Sequence, residues 1–330
     1  MSGSRSLITI VLAALGLITL IKFSYQWARF LVFHLWHPSK PMHVYKRPGP
    51  EPTYALVTGA SAGIGLGISQ ALVRQGFGVI LLGHKPDELA AAAEGLEEIR
   101  PGVAVHVIVL DAQKATLSEI EDVVRSIADL QVSVLVNNVG GVPIKLPAIR
   151  TLDTLDVTEV DAVIDMNARF MARLTRLMLP ILTRKPPLGK RSLIINLSSA
   201  GKFGIPWLVM YSATKAFNWA FSTALARELQ AEPASTHVDC LALVPGDVKS
   251  QANHVGLSPF TPTWDTFGSM VVEKVDMAVR VQRRDFSPFW FHEFQSALLE
   301  QVMPEWLLAS AIGQEFRRKR ATYEETRKRL

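Results

Sequence analysis

Six short runs of aliphatic and β-branched residues punctuate the middle of the chain: Tyr54–Thr58, Val79–Leu82, Val103–Leu110, Val132–Val136, Leu193–Leu197 and Val238–Val244. Their apolar residues are continuous rather than alternating, which marks strands covered on both faces. Stretches of helical periodicity separate them, among them Ile64–Gln75, Asp87–Ile99 and Leu117–Leu130. Strand and helix in regular alternation predict successive βαβ units. The fold class is therefore α/β, an open, doubly wound parallel sheet with helices on both faces.

The N-terminus follows a different rule. Leu7–Ile21 is almost unbroken apolar sequence, and after Lys22 the character resumes through Phe23, Tyr25, Trp27, Phe30–Phe33 and Trp36. A membrane-spanning helix needs ~20 apolar residues. The segment reaches that length if Lys22 snorkels and the aromatic rings lie in the interface. No small-x-small cleavage site follows the apolar core, so an uncleaved anchor is favoured over a signal peptide. Lys22, Arg29, Lys40, Lys46 and Arg47 follow the core while only Arg5 precedes it, which places the large domain in the cytosol. Pro38, Pro41, Pro48, Pro50 and Pro52 predict a stiff, extended linker. The expected organisation is an anchor over 1–37, a linker over 38–52, a catalytic domain over 53–300 and a C-terminal segment over 301–330.

Charge adds one feature. The net charge is +5, and from Phe316 to Leu330 seven basic residues face two acidic ones, so the tail carries the whole excess. The balanced remainder argues against a nucleic-acid-binding face. The tail reads either as a lipid-headgroup contact or as a solvated terminus. The lone cysteine, Cys240, lies in an apolar run and reads as a buried strand residue; the eight histidines are scattered, so no metal site is expected.

Chemistry-bearing residues gather where strands end. The first strand runs into Thr58-Gly59-Ala60-Ser61-Ala62-Gly63-Ile64-Gly65 and then at once into a helix. A glycine-rich turn there lets backbone approach a pyrophosphate, and the helix N-terminus offers it unpaired N–H groups. The second strand ends in Leu82-Gly83-His84-Lys85 with no acid before Asp87. An acid would suit the ribose hydroxyls of NAD, whereas His84, Lys85 and Ser61 suit the 2′-phosphate of NADPH. Farther along, Tyr211 and Lys215 stand four residues apart on a helix reaching about Gln230, so they share a face. A nearby ammonium favours the phenolate and lowers the tyrosine pKa, which suits the phenol to proton exchange with a carbonyl oxygen.

These motifs, in this order, resemble the short-chain dehydrogenases/reductases over roughly residues 52–255. The glycine spacing (Gly59, Gly63, Gly65) is that family's variant. Asn137-Asn138-Val139-Gly140 is similar to its Asn-Asn-Ala-Gly, with Val in place of Ala. The resemblance implies a Rossmann-type fold with NADPH as cofactor, held by Gly59, Ser61, Gly63, Ile64, Gly65, His84, Lys85, Asp111 at the adenine, Asn138, Arg173, Tyr211, Lys215, and Val248 and Ser250 near the carboxamide. It implies a catalytic set of Ser198, Tyr211 and Lys215, with Asn167 helping to hold a proton-relaying water. Ungapped spacing favours Ser198, thirteen residues before the tyrosine; a one-residue deletion would make Ser199 the serine instead.

A narrower resemblance is to the membrane-bound 3-oxoacyl-CoA reductases of fatty-acid elongation and related 17β-hydroxysteroid dehydrogenases. It rests on the anchor, Tyr211–Lys215 and Met303-Pro304-Glu305-Trp306-Leu307 with its basic tail. Gly83-His84-Lys85 departs from the Ser-Arg usual there, and the loop after Ser250 is unfamiliar. The implied function is reduction of a ketone on a lipophilic substrate at the endoplasmic reticulum, with membrane and a homodimeric copy as expected partners. Phe260, Trp264, Phe267, Met270, Phe289, Trp290 and Phe291 offer apolar surface for such a substrate, or for core or membrane. A reductase of some other secondary-metabolite ketone, or a non-catalytic NADP-binding scaffold, are the alternatives.

Overall fold

The computed structural model describes residues 2–35, 42–301 and 303–329. Seven parallel strands form one sheet: β1 (Thr53–Thr58), β2 (Gly78–Gly83), β3 (Val105–Val109), β4 (Gln131–Asn137), β5 (Ser192–Leu197), β6 (Val238–Leu243) and β7 (Asp285–Phe286). Their order is β3-β2-β1-β4-β5-β6-β7, so the chain reverses direction between β1 and β4. A crevice for ligands opens beyond the strand ends at such a reversal.

Two helical layers cover the sheet. On one face lie α2 (Gly63–Arg74), α3 (Pro86–Ile99) and α8 (Trp264–Arg280); on the other lie α4 (Leu117–Ser126), α6 (Phe170–Leu182) and α7 (Val209–Ala231). Along β1, Ala55 and Val57 enter the first core while Tyr54 and Leu56 enter the second. That division explains the unalternating apolar runs. The edge strand β3 is the exception, with Val107 and Val109 substantially exposed. The two-residue β7 is too short to leave a periodic signal.

The N-terminal helix α1 (Ser2–Leu35) has two characters. The stretch Leu7–Leu35 is long and apolar enough to cross a membrane. Leu7, Leu12, Ile18 and Leu20 are each more than half exposed. Its last turns instead dock on the sheet edge. Phe33 is fully buried against Phe286, and the Lys274 ammonium on α8 donates to the carbonyls of Phe33 and His34 at 3.1 and 2.9 Å. Those carbonyls end a helix and lack intrahelical partners, so a buried cation there satisfies both bonding and dipole. Burial of a phenylalanine contributes roughly 1.5–3 kcal/mol.

The extended linker expected over 38–52 is corrected in its described part; 36–41 lie outside the described residues. Met42 and Tyr45 are buried. The Tyr45 hydroxyl donates to Asp239 at 2.9 Å, its carbonyl accepts from Ser133 at 2.6 Å, and Arg47 donates to the Arg191 carbonyl and Ser192. Prolines stiffened a segment whose aromatic and basic residues fix it beneath the strands. In the C-terminal segment, α9 (Trp290–Gln301) is followed by α10 (Glu305–Arg329), which contacts the body through Lys319.

Helices α2 and α8 cross at two glycines. A Cβ on Gly268 would lie 2.2 Å from the Gly67 carbonyl carbon, and one on Gly67 would lie 2.3 Å from the Trp264 oxygen. Backbone cannot yield as a side chain can. Gly268→Val should therefore destabilise the protein by at least about 1–3 kcal/mol, read as a lowered denaturation midpoint; a midpoint equal to wild type contradicts this packing.

Candidate active site

The crevice is built from the turns after β1, β4, β5 and β6. Gly59 and Gly63 hold φ values of +63° and +58°, which other residues adopt only with strain. The Asn138 side chain, carried on the end of β4, donates to the carbonyls of Thr58 and Gly59 at 2.9 and 3.1 Å and pins this turn. A Cβ on Gly65 would collide with the Gly59 oxygen at 2.3 Å. Helix α2 then begins without a side-chain cap, since Ala62 offers no acceptor. Its first N–H groups are left for an anion. Ser250, from the turn after β6, packs 3.6 Å from the position of a Gly63 Cβ, closing the other side. This cradle fits a pyrophosphate.

Across the crevice stands a buried lysine. Lys215 donates from Nζ to the Leu197 carbonyl at 3.2 Å, and its ammonium lies 5.6 Å from the centre of the Tyr211 ring one turn before it. Burial pushes the ammonium pKa down to about 8. Beside it, a Cβ on Gly140 would come within 2.8 Å of Nζ and 2.7 Å of the Asn167 Oδ1, so only glycine lets these groups converge. Asn167 is fully buried in a π-helical turn, Asp165–Arg169, between α5 (Val157–Ile164) and α6. It accepts from the Gly141 N–H at 3.0 Å and donates to the carbonyls of Gly141 and Val163 at 2.8 and 2.9 Å. Such turns widen a helix and often occur at functional sites.

The Tyr211 phenol is governed by opposing influences. Burial raises its pKa, hydrogen bonding with Ser199 lowers it, and the negative charge of Asp247 raises it. Ser199 also accepts from the Gly201 N–H at 3.0 Å, and a Cβ on Gly201 would touch both the tyrosine ring and the serine oxygen. Ser198 faces elsewhere: only 1% exposed, it donates to the Lys215 carbonyl at 2.7 Å. Of the two serines the sequence left open, Ser198 turns away from the crevice and Ser199 towards Tyr211. Strand alternation sends the Ser198 hydroxyl into the protein, and the next residue reaches the crevice.

Three comparisons bear on this geometry. The family model for short chain dehydrogenase matches residues 53–256, more than half of the chain. The chain belongs to the short-chain dehydrogenase family. Among curated proteins of this family, the very-long-chain 3-oxoacyl-CoA reductase of Coccidioides immitis is 33% identical over 233 residues, which cover 70% of this chain and 62% of that relative. The protein of the same description from Ajellomyces capsulatus is 34% identical, with 65% of its length covered, so both matches span less than two thirds of those relatives. That from Meyerozyma guilliermondii is 31% identical, covering 80% of this chain and 77% of its own. A short chain dehydrogenase from Shigella flexneri, complexed with NADP, superposes with a TM-score of 0.62 at 20% identity, over 72% of this chain and 97% of its own. One from Sphingobium yanoikuyae in complex with NADPH gives 0.58 at 23% identity, over 77% and 97%. At such identities the likeness is one of fold.

Within this short-chain dehydrogenase fold most expected residues converge. Gly59, Ser61, Gly63, Ile64 and Gly65 form the cradle, Asn138 pins it and Ser250 closes it, while Val248 is buried in the core. Lys85 and His84 stand exposed at the end of β2. Asp111 follows β3 and turns an oxygen back to the Gln113 N–H at 3.0 Å. Arg173, on α6, forms no bond with the other candidates among the described residues.

Three features escaped the sequence. Glu88, in the first turn of α3, accepts from Lys85 at 2.6 Å and Ser61 at 3.2 Å, which holds its carboxyl below the usual range. An acid thus touches both residues expected to meet a 2′-phosphate. His292 on α9 accepts from the Gly246 N–H at 3.2 Å, with burial lowering its pKa to about 4, and Lys319 on α10 pairs with Asp247 at 2.6 Å. Both act on the turn after β6 from more than forty residues away. The apolar surface beside Tyr211 also comes from an unexpected place: Val142, Ile144, Leu155, Trp207 and Met210 line a groove there. Of the aromatics expected to serve, Phe267 is core, while Phe260 and Trp290 are more than half exposed.

The two serines separate cleanly by experiment. Ser199→Ala should lower turnover by about tenfold or more, the scale of a lost hydrogen bond to developing charge. Ser198→Ala should spare turnover at saturating substrate and cost about 1 kcal/mol of stability. Steady-state rates and unfolding of both variants check this, and the reverse ranking contradicts it.

Proposed function

We propose that the chain is a membrane-anchored, NADPH-dependent reductase of a lipophilic ketone, with Tyr211 as the proton donor. The observation that carries this reading is the meeting of Tyr211, Lys215 and Ser199 at the mouth of an anion-fitting crevice. NADPH, when bound, supplies the hydride. The cradle of Gly59, Ser61, Gly63, Ile64 and Gly65 would hold its pyrophosphate, and Lys85 its 2′-phosphate once released from Glu88.

The chain's own residues then handle the oxygen and the proton. Ser199 hydrogen-bonds the carbonyl oxygen and fixes it near the phenol. Tyr211, whose pKa is held up by burial and Asp247, is protonated at neutral pH and gives that proton to the oxygen as negative charge develops. The Lys215 ammonium lies close enough to stabilise the phenolate left behind. Asn167 and Gly140 keep the lysine pocket narrow.

Val142, Ile144, Leu155, Trp207 and Met210 make the surface beside Tyr211 apolar, which suits a lipophilic ketone better than a sugar. The curated relatives are described as very-long-chain 3-oxoacyl-CoA reductases, which supports a 3-oxoacyl-CoA as the first substrate to try. With Leu7–Ile21 in a bilayer and the basic residues after it on the same side as the domain, the catalytic unit faces the cytosol, at the endoplasmic reticulum if the chain shares the relatives' substrate.

The test is NADPH consumption by the detergent-solubilised full chain with a long-chain 3-oxoacyl-CoA. Tyr211→Phe should lower turnover by at least about a hundredfold, within the range a positioned acid supplies, while NADPH still binds. An unchanged rate removes Tyr211 from the chemistry. No turnover by wild type, with NADPH bound, removes this substrate.

A further inference from the structure

A cavity lies away from the crevice, where α1 leaves its exposed apolar stretch and meets the domain. It holds about 470 Å³ between α1, α7, α9 and the segment before β7. Its walls differ in chemistry. Phe23, Trp27 and Phe30 of α1, with Phe294 and Leu298 of α9, form an apolar side continuous with the part of α1 that would lie in lipid. Arg29, Arg227, Arg283 and Arg284 line the cavity as well.

Two carboxylates also line it, and both are already engaged. Glu293 pairs with Arg283 at 2.6 Å and with His34 at 3.0 Å, and Asp285 accepts from Trp219 at 2.6 Å and Lys202 at 3.3 Å. Arg29 donates to the Val281 carbonyl and Arg284 to the Gln230 amide, both neutral partners. Arg227 is exposed and forms no ion pair among the described residues. Three arginines therefore bring positive charge to the cavity with no carboxylate against them. Apolar rings and unneutralised guanidinium groups in one cavity, beside a helix apolar enough to cross a membrane, suit a negatively charged amphiphile.

We propose that this cavity binds a glycerophospholipid with a net-anionic headgroup. Its phosphate is recognised by Arg227 and Arg284, with Arg29 behind them, and one acyl chain lies along Trp27, Phe30 and Phe294. Guanidinium groups match phosphate oxygens in geometry as well as charge. The lipid would seal the junction between α1 and the domain and set the domain's height above the bilayer. The proposal rests on the membrane reading of α1 and not on the catalytic assignment.

Trp27 and Trp219 line the cavity and serve as reporters. The delipidated full chain in detergent is titrated with phosphatidylserine carrying brominated acyl chains, and separately with the matching phosphatidylcholine. Saturable quenching should appear with phosphatidylserine at about tenfold lower concentration or less, because its headgroup brings a net negative charge to the arginines where phosphatidylcholine's choline cancels it. The double variant Arg227→Gln/Arg284→Gln should lose that preference. Ala297→Phe, which fills the cavity, keeps every arginine and adds no tryptophan, should lose the quenching itself. NADPH binding and ketone turnover, recorded on each variant, show that it is folded and keep failure here distinct from failure of the active-site reading. Equal affinity for the two lipids, or a double variant that still prefers phosphatidylserine, overturns the proposal. So does full displacement by inorganic phosphate, which would make the site an anion site only, or by a long-chain acyl-CoA at its turnover concentration, which would make it part of the substrate path.

Discussion

Everything at the crevice depends on the burial of one ammonium group. Lys215 is almost wholly removed from water, with its Nζ donating to the Leu197 carbonyl, and that burial puts its pKa near 8 instead of above 10. A buried cation is tolerated only where carbonyl dipoles face it. The end of β5 supplies that carbonyl, Asn218 shares it at 2.9 Å, and Ser198 ties the lysine's own carbonyl back to β5. The π-helical turn at Asp165–Arg169 brings Asn167 alongside, and Gly140 removes the Cβ that would occupy the space. Strand end, helix start and glycine are thus different answers to one electrostatic demand.

Much of this was legible in the chain. Six strands were found within one residue of their observed limits, apart from the start of β3, which is two residues off, because continuous apolar runs and glycine turns are local signals. Tyr211 and Lys215 were singled out by helical spacing together with the family resemblance. The serine was not, because spacing to Tyr211 cannot distinguish Ser198 from Ser199, whereas strand alternation decides which side chain reaches the crevice. Glu88, His292 and Lys319 were invisible for another reason. Each acts through a contact whose partner lies on a different element, and no local pattern encodes that proximity.

The anchor shows the same division. Its hydrophobicity predicted a helix long enough for a bilayer, and α1 is that helix. Its last turns behave as part of the domain, with Phe33 buried, Arg283 stacked 4.0 Å from that ring's centre and Lys274 closing the helix end. Composition reads an aromatic-rich stretch as membrane interface; the structure uses it as an edge of the core. The domain is consequently held against α1 rather than tethered loosely below it, and the cavity at their junction follows from that docking.

The most direct test of the account is the pH dependence of kcat/KM for ketone reduction in wild type and Lys215→Arg. The ammonium is charged below its pKa and neutral above it, so support for the Tyr211 phenolate should disappear as pH rises through about 8. Wild type should therefore hold a plateau at neutral pH and fall above about 8, while an arginine that stays charged moves the fall upward. A wild-type profile that runs flat to pH ~10, where a free lysine titrates, would contradict the claim that a desolvated lysine governs the site.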